Sequence, residues 1–560
     1  MAVSVQADVV IIGAGIVGTY LAKQLIRYGK SVALIDQGAP RLADQQPASP
    51  PIECSAERYS GVYEARNHVL GGNGHYWGGG LLRPPSTKLG EILGLKNSED
   101  DLLAEDMERH FRAAEIDAGA PRPLRWREFA TQTSKVGSCS LTDYYLLTSK
   151  ARNISMRALQ ELRKSNLCEI FTQAHILAFT RDEQNHISTI HLAQSKKQTL
   201  IKCSQVVLSA GTIDSLLILQ KHAESLGLSD ANGIGENLHD HITVPIATIQ
   251  GSAQNDFMQD MLPLFCSNGF LGRQFCLNEG RNNLSRGLLR FIPLLDEASP
   301  YKEIKEILSL RQKGAALHLI AKTAAATTST LPLLARIGYD RYVRKRLYTS
   351  ETLPVQVSLM FESSESSQNQ IWTRSDQRAA IHWRMNRRDE DAFIKLADRA
   401  YHLLDELAAA YGIEIRRPPC LNTEEQKRAY LHEHAMDAFH LGGGLPFGRV
   451  IDHRLRLIAT PNMSIVATAV LQRPGLPNPT LTLLALARRC AEHIACAEAQ
   501  EANDVLINPA HTEDHRHAYQ RRMSKRLLTR CFANPSRRRL RHVRKCKHHE
   551  SAEIYLPIKT

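Results

Sequence analysis

Residues 9–36 of this 560-residue chain read VVIIGAGIVGTYLAKQLIRYGKSVALID, and this stretch decides the fold. Four apolar residues precede a G-x-G-x-x-G turn at 13–18. Apolar residues at helical spacing follow, and a second apolar run ends in Asp36. An unbroken apolar run is typical of a strand that is covered on both faces. Strand, glycine turn, helix, strand and acid in this order, within about 30 residues, predict a dinucleotide-binding unit.

The three glycines and the acid of this unit have separate predicted roles. Gly13 makes the tight turn, Gly15 lets a pyrophosphate approach the backbone, and Gly18 lets the helix and the strand pack closely. The N–H groups at the helix N-terminus face the phosphates. Asp36 accepts hydrogen bonds from ribose hydroxyls, and an acid there disfavours the 2′-phosphate of NADP. FAD and NAD are both compatible with this unit, as is a glycine turn that binds no nucleotide.

Three more segments are rich in glycine or end an apolar run in small residues. Residues 70–80 read LGGNGHYWGGG, residues 206–212 read VVLSAGT, and His440 is followed by LGGG before the segment LPNPTLT at 476–482. Backbone without side chains can approach a planar or phosphorylated ligand closely. Tyr76 and Trp77 lie inside the first of these segments and indicate that the loop is covered from solvent.

With these segments the chain resembles the glucose–methanol–choline (GMC) flavoenzymes, and most closely their pyranose-oxidase-like branch. The flavin loop of that family is similar to 71–79, its mid-chain signature to 209–211, and its G-x-N-L-x-D-H stretch to 233–241. Its closing Asn-Pro-x-x-Thr is present at 478–482. The resemblance extends over most of the chain, and the matches occur in the order of the family.

The resemblance implies an α/β fold (α+β overall) made of two joined domains. The first is a Rossmann-like FAD-binding domain that is discontinuous in sequence, with segments 1–90, 165–245 and 430–500. The second is a substrate-binding domain built on an antiparallel sheet and helices, with segments 91–164 and 246–429.

The activity that the resemblance implies is the FAD-dependent oxidation of a CH–OH group in a small alcohol or sugar. His440 takes the hydroxyl proton while hydride goes to the flavin N5, which gives an aldehyde, a ketone or a lactone. A histidine suits this role because its ordinary pKa lies near working pH. Asn478 donates an amide N–H to the substrate oxygen. His239 and His241 are the other candidate bases, and the family resemblance favours a structural role for both.

The resemblance also implies which residues bind FAD: Gly13, Ala14, Gly15, Ile16, Gly18, Asp36, Gly71, Gly72, Asn73, Trp77, Gly78, Ile176, Ala210, Gly211, Asn478, Pro479 and Thr480. In pyranose oxidases the histidine that links the flavin directly precedes the tryptophan. Here Tyr76 precedes Trp77, and His75 lies one position earlier. Non-covalent FAD is therefore favoured, and no metal is expected.

Two segments depart from the family pattern and keep alternative functions open. The stretch 467–469 reads ATA where the family often has D-x-S or G-x-S, and 440–447 lacks the usual Thr, Arg and Met. One alternative is an FAD-binding scaffold with weak activity. An NAD-linked dehydrogenase is the other, although the chain has no second G-x-G-x-x-G. The sequence names neither the substrate nor the electron acceptor, which could be oxygen, a quinone or another carrier.

Charge is concentrated in the basic tail, 501–560, which is expected to be disordered. Residues 515–549 contain 13 Lys and Arg and no acid, whereas the rest of the chain has 57 basic and 58 acidic residues. This balance argues against a nucleic-acid partner. Scattered cysteines and the absence of a signal sequence predict a cytoplasmic location. The tail and a predicted helical excursion, 300–348, are two candidate elements for peripheral membrane contact.

Overall fold

The computed structural model describes residues 3–507 of the chain, with gaps. The gaps fall at 46, 48–49, 56–58, 85–88, 95–96, 121–125, 130–138, 148, 195–196, 229–232, 251–253, 262–263, 267, 279–285, 294–330, 347–353, 377 and 420.

Twelve helices and twenty-one strands make up the described chain. The helices are α1 Ile16–Arg27, α2 Gly61–Glu64, α3 Leu89–Leu93, α4 Asn97–Ala118, α5 Ser149–Arg152, α6 Ile154–Leu162, α7 Gly211–Lys221, α8 Gln254–Met261, α9 Leu331–Tyr339, α10 Arg387–Tyr411, α11 Glu424–His434 and α12 Thr480–Ile507. The strands are β1 Val3–Ile12, β2 Val32–Ile35, β3 Ile52–Cys54, β4 Gly80–Leu82, β5 Trp126–Phe129, β6 Cys139–Leu147, β7 Cys168–Phe171, β8 Ala174–Arg181, β9 Ile187–Gln194, β10 Lys197–Leu208, β11 His241–Gln250, β12 Leu264–Cys266, β13 Gly269–Asn278, β14 Arg286–Pro293, β15 Val355–Glu362, β16 Gln370–Thr373, β17 Ala379–His382, β18 Glu414–Arg416, β19 Met436–Asp437, β20 Arg456–Leu457 and β21 Thr460–Ile465.

An eight-stranded sheet forms around β1, in the order β20-β21-β10-β1-β2-β7, with β9 and β8 added through β10. β1 is parallel to β2 and β10, and β10 is parallel to β21. The last four residues of β1 are buried, because neighbouring strands and helices cover both faces of the strand. α1 connects β1 to β2 and forms the predicted βαβ unit. Its parallel strands come from distant parts of the sequence and end at one edge of the sheet.

A ten-stranded sheet is antiparallel throughout. Its main order is β18-β11-β15-β14-β13-β6-β4, and β12 pairs with β13, β19 with β11 and β5 with β6. α10 packs on β13, β14 and β15 and covers one face of this sheet. Asn386 and Asp389 form a capping box that begins α10, and Gly412, with φ +67°, ends it. A small apolar cluster on the other face contains Leu476, which lies just before the predicted Asn-Pro segment. That second face therefore borders the candidate site.

The predicted α/β fold with an antiparallel-sheet domain is confirmed. Of the predicted excursion 300–348, residues 331–344 are helical, and 300–330 and 347–348 lie outside the described residues. The part of the basic tail beyond 507 lies outside them as well. By internal contacts the chain divides into Met1–Ala495, which contains the sheets, and Cys496–Thr560, of which the last turns of α12 are described. Among the described helices, none has the length and apolar character that a membrane span requires.

Candidate active site

In the glycine turn after β1, packing requires glycine at two positions and does not require it at a third. A Cβ on Gly13 would lie 2.6 Å from the carbonyl oxygen of Ser209, and a Cβ on Gly18 would lie 1.8 Å from the oxygen of Gly13. A Cβ on Gly15, the N-cap of α1, would meet no heavy atom within 4 Å. Packing therefore does not explain a glycine at position 15. A pyrophosphate held against the N-terminus of α1 does explain it, so the turn fits a dinucleotide cofactor.

The 70–80 loop lies directly on this turn. The N–H of Gly71 donates to the carbonyl oxygen of Ala14 at 3.0 Å, and a Cβ on Gly72 would lie 3.2 Å from the Cα of Gly15. Trp77 is partly buried and packs on the core. The prediction that the loop is covered from solvent is wrong for Tyr76, a residue that is 57% exposed and that follows the 3₁₀ turn Gly72–His75.

Asp36 follows β2 and holds the glycine turn in place. Its carboxylate accepts from the N–H of Ala14 at 2.6 Å and from the N–H of Gly38 at 2.7 Å. Burial raises the pKa of Asp36, while these two N–H donors lower it. The side chain is partly buried, so its other lone pairs are accessible to a ribose hydroxyl.

The other predicted cofactor residues occupy three separate places. Ala210 and Gly211 begin α7 beside the glycine turn, and a Cβ on Gly211 would meet no heavy atom within 4 Å. Asn73 accepts hydrogen bonds from the backbone and side-chain N–H groups of Asn67, so it closes its own loop. Ile176 lies on β8, which joins the sheet only through β9, and is partly buried on the core. Ile176 lies two residues after Ala174, whose N–H donates to the carbonyl oxygen of Asp36 at 3.1 Å.

Asp240 organises the backbone around His440. Its carboxylate accepts from the N–H of His440 at 3.0 Å and from the N–H of His241 at 2.6 Å. It also accepts from the hydroxyl of Tyr59 at 2.7 Å, and its own N–H donates to the hydroxyl of Ser363 at 3.0 Å. Burial raises the pKa of Asp240 to about 7, and the three donors oppose that rise. The position of the His440 backbone is therefore fixed by a buried carboxylate.

A chain of hydrogen bonds assigns the protons on two facing imidazoles. Nε2 of His241 contacts the carbonyl oxygen of Gly475, and Nδ1 of His241 lies 3.1 Å from Nδ1 of His440. A carbonyl oxygen can only accept, so Nε2 of His241 carries a proton and Nδ1 of the neutral ring accepts. Nδ1 of His440 must then be the donor. This order leaves a free lone pair on Nε2 of His440.

Both imidazoles are held in the neutral form. Burial lowers the pKa of His241 to about 4. Burial also lowers the pKa of His440 well below the ordinary value of 6.5, and the positive charge of Arg290 lowers it further. The prediction that His440 titrates near neutral pH is therefore wrong for this structure. A neutral imidazole that can accept a proton is present at pH 7.

Asn478 precedes α12, which begins at Thr480 after Pro479. A Cβ on Gly80 would lie 3.4 Å from Nδ2 of Asn478, so the predicted flavin loop ends beside this amide. Within the described structure no hydrogen bond joins Asn478 to His440. The two are connected through Gly475, which accepts from His241 three positions before Asn478.

Asp240, His241 and His440 place one potential metal ligand each within 4.8 Å of one another. The carboxylate of Asp240 already accepts from three donors, and the two Nδ1 atoms share one proton. A metal ion would have to break these hydrogen bonds. The hydrogen bonds alone account for the arrangement of the three side chains.

The sequence did not single out Tyr59 or Asp240, and it assigned His239 and His241 one shared structural role. For His239 the geometry agrees with that role, because its Nε2 lies 2.8 Å from the carbonyl oxygen of Leu471 and its ring fills the space beside Gly442. His241 instead contacts His440. The Asp-His pair in the stretch 233–241 was the one available signal for Asp240.

The segment 467–469, which departs from the predicted family pattern, has a packing role. The hydroxyls of Thr468 and Thr212 are 2.5 Å apart, and the carbonyl oxygen of Thr468 accepts from the N–H of Gly443 at 3.2 Å. Thr212 belongs to the first turn of α7. The segment therefore connects the His440 loop to the first turn of α7.

Comparison with known families and proteins agrees with this architecture. The family described as GMC oxidoreductase matches residues 365–487. An oxygen-dependent choline dehydrogenase from Rhizobium etli (strain CIAT 652) is 22% identical over 573 residues, covering 90% of this chain and 98% of the relative.

Two solved structures share the fold. Pyridoxine 4-oxidase from Mesorbium loti has a TM-score of 0.52 and 15% identity, covering 87% of this chain and 98% of its own. A formate oxidase variant from Aspergillus oryzae RIB40, described for FAD modification, has a TM-score of 0.50 and 14% identity, covering 90% of this chain and 100% of its own.

Proposed function

We propose that His440 is the catalytic base of this chain, which is an FAD-dependent GMC oxidoreductase that oxidises an alcohol. The family match agrees with the resemblance predicted from the motifs. One observation supports the role of His440 above the others. Its Nδ1 is occupied by His241 at 3.1 Å, which leaves Nε2 with a free lone pair. The substrate is a small molecule with an alcohol or sugar hydroxyl.

In the proposed reaction the chain binds the alcohol and removes its hydroxyl proton. FAD, when bound, accepts the hydride from the carbon. Nε2 of His440 takes the hydroxyl proton, and Nδ1 remains a donor to His241, so the ring holds its orientation as its charge changes. The amide of Asn478 donates to the substrate oxygen as negative charge develops there. Gly15 and Asp36 hold the cofactor, Gly18 lets α1 pack against the glycine turn, and none of the three takes part in the proton transfer.

The two alternative functions are not favoured. An NAD-linked dehydrogenase agrees less well with the names of the matches, because the relative is an oxygen-dependent choline dehydrogenase and the formate oxidase structure is described for FAD modification. A scaffold of weak activity would not need a base with a fixed tautomer. The segments that depart from the family pattern make packing contacts instead, as at Thr468.

The function is tested by anaerobic addition of primary and secondary alcohols to the purified yellow protein. We expect one class of alcohol to bleach the flavin absorbance, because hydride transfer reduces the flavin. Oxygen is then admitted. A rapid return of colour identifies an oxidase, and a slow return that a quinone accelerates identifies a dehydrogenase. A flavin that no alcohol bleaches, although dithionite does, would favour the scaffold.

We propose that FAD is bound without a covalent link. Nε2 of His75, the histidine nearest to Trp77 in sequence, lies 3.0 Å from the carbonyl oxygen of Leu70 and closes the loop. We expect acid precipitation to release all of the FAD into the supernatant, because no ring nitrogen is bonded to it. The supernatant is measured by absorbance at the flavin bands. Yellow colour that stays with the precipitate through repeated washing would contradict this.

A further inference from the structure

The ten-stranded sheet has two faces with different surroundings. Phe361 of β15 stacks near Phe393 of α10, with ring centroids 6.1 Å apart, so it lies on the face that α10 covers. Because side chains alternate along a strand, Met360 and Ser358 lie on the other face. His241 shares that face, since it pairs directly with Glu362. We call this face, with Ser358, Met360 and His241, the site face.

Arg290 belongs to the site face because it pairs directly with Ser358. Its Nη1 lies 3.5 Å from Sδ of Met360. The side chain therefore extends from the level of Ser358 toward the strand end where His241 lies. Its charge is close enough to lower the pKa of both His241 and His440. A fixed positive charge thus lies beside the proposed base.

No carboxylate within the described part of the chain forms an ion pair with Arg290. Arg286, four positions earlier on the same strand and face, has two such partners, Glu91 at 3.4 Å and Glu362 at 3.3 Å. Burial lowers the pKa of Arg290, and Tyr144 alone opposes this. A partly buried guanidinium without a counter-charge is costly, so its retention calls for a partner that the described residues do not supply.

Two further polar groups on the site face lack a hydrogen-bond partner in the described structure. Tyr144 pairs with Gly272, and its ring occupies the space that a side chain at Gly272 would take. Its hydroxyl makes no hydrogen bond. Gln274 follows Gly272 on the same face, and its Oε1 is buried without a partner. The pairing of Phe275 with Leu289 places Gln274 at the level of Arg290.

We propose that the substrate is an alcohol that also carries an oxyanion, a carboxylate or a phosphate, which Arg290 binds together with Tyr144. This rests on the proposed function, because it places the hydroxyl at His440 and the anion on the site face. A guanidinium donates to such an oxyanion through two parallel N–H groups, and the phenol can donate as well. Oε1 of Gln274 can only accept, so it does not contact the oxyanion. Electrostatic repulsion by Arg290 disfavours a quaternary ammonium alcohol, such as the choline that the Rhizobium relative is named for.

The test measures binding to the FAD-loaded protein through changes in the flavin absorption spectrum, with four probes of similar size. They are benzoate, phenyl phosphate, benzyl alcohol and benzyltrimethylammonium. We expect at least one anion to bind about tenfold to a hundredfold more tightly than benzyl alcohol, and the cation to bind most weakly. The better anion identifies the carboxylate or the phosphate as the recognised group.

Three variants locate the effect. Arg290→Met should remove the preference for the anion, and Arg290→Lys should keep part of it because the charge remains. Arg416→Met is the matched control, since Arg416 is an exposed arginine at the edge of the same sheet that pairs with Glu414 at 2.8 Å. It should bind all four probes as the wild type does.

Several outcomes would overturn the anion proposal. The proposal would be overturned if neither anion bound more tightly than benzyl alcohol. It would also be overturned if Arg290→Met kept the preference for the anion unchanged. A shift in the flavin redox potential of Arg290→Met with unchanged probe affinities would mean that Arg290 acts on the flavin. These titrations involve no proton transfer to His440, so they can succeed or fail independently of the proposed base.

Discussion

His440→Ala should keep its FAD and lose most of its ability to be reduced by substrate. The glycine turn and the 70–80 loop that bind the cofactor do not include His440, so the flavin content should be unchanged. Flavin reduction by the alcohol should slow by about a hundredfold to ten-thousandfold, the usual contribution of a positioned acid–base group. Reoxidation of chemically reduced flavin should change little, because no substrate proton is removed in that half-reaction.

The pH dependence identifies the group. The neutral ring of His440 is the base, and its pKa is held well below 6.5, so the wild-type rate should be constant at neutral pH and fall as the pH drops into the acid range. His440→Ala should lack this acid limb. The measurement is the rate of flavin reduction by anaerobic stopped flow between about pH 4.5 and about pH 8, a range that includes the ordinary histidine pKa. An unchanged rate and profile would transfer the role to another residue.

His241 provides the second arm of this experiment. His241→Leu removes the acceptor for Nδ1 of His440 and should slow flavin reduction. His241→Asn offers an amide oxygen near the same place and should slow flavin reduction less. If His241 acts only through His440, His241→Leu should add nothing to His440→Ala. Additive losses would mean that His241 touches the reaction by another route.

Gly15→Val should abolish cofactor binding while the protein stays folded. The backbone at Gly15, φ −74° and ψ −162°, is in a region that valine adopts readily, and a Cβ there meets no protein atom within 4 Å. The same Cβ would occupy the space that the pyrophosphate needs. FAD content should fall from about one per chain to less than about a tenth of that. Flavin absorbance and far-ultraviolet circular dichroism measure the two properties.

Gly18 is the matched control for position 15. Gly18→Val places a Cβ 1.8 Å from the carbonyl oxygen of Gly13, so this variant should lose the fold and not only the cofactor. The thermal midpoint of Gly15→Val should match that of wild-type protein stripped of FAD. Stoichiometric FAD in Gly15→Val would contradict the assignment of this turn to cofactor binding.

Local patterns predicted the parts of the fold that local physics determines. The βαβ unit follows from an apolar run, a glycine turn and Asp36 within one short stretch, and the structure places them as expected. The sequence assigned these glycines their roles, but it could not name the atoms that surround them. The atoms that crowd Gly13 belong to Ser209 and Ala210, and only the folded sheet brings those residues near.

The arrangement of the site depended on pairings that no motif records. His241 and His440 are 199 positions apart, and their contact requires that β11, which begins at His241, start beside the His440 loop. The side of the sheet on which Arg290 lies follows from strand register, which a one-residue slip would reverse. Burial then lowered the pKa of His440, an effect that residue type alone does not carry.

The discontinuous parallel sheet has a consequence for how the chain is made. β1 pairs with β2, which follows it closely, and with β10, which begins at residue 197, whereas β21, next to β10, begins at residue 460. One edge of β1 can pair early with β2, but its other edge stays unpaired until β10 has been made, a situation that slows folding and favours aggregation. Asn478 and α12 follow β21 in the chain, so the proposed FAD site should be completed only after β21 has been made.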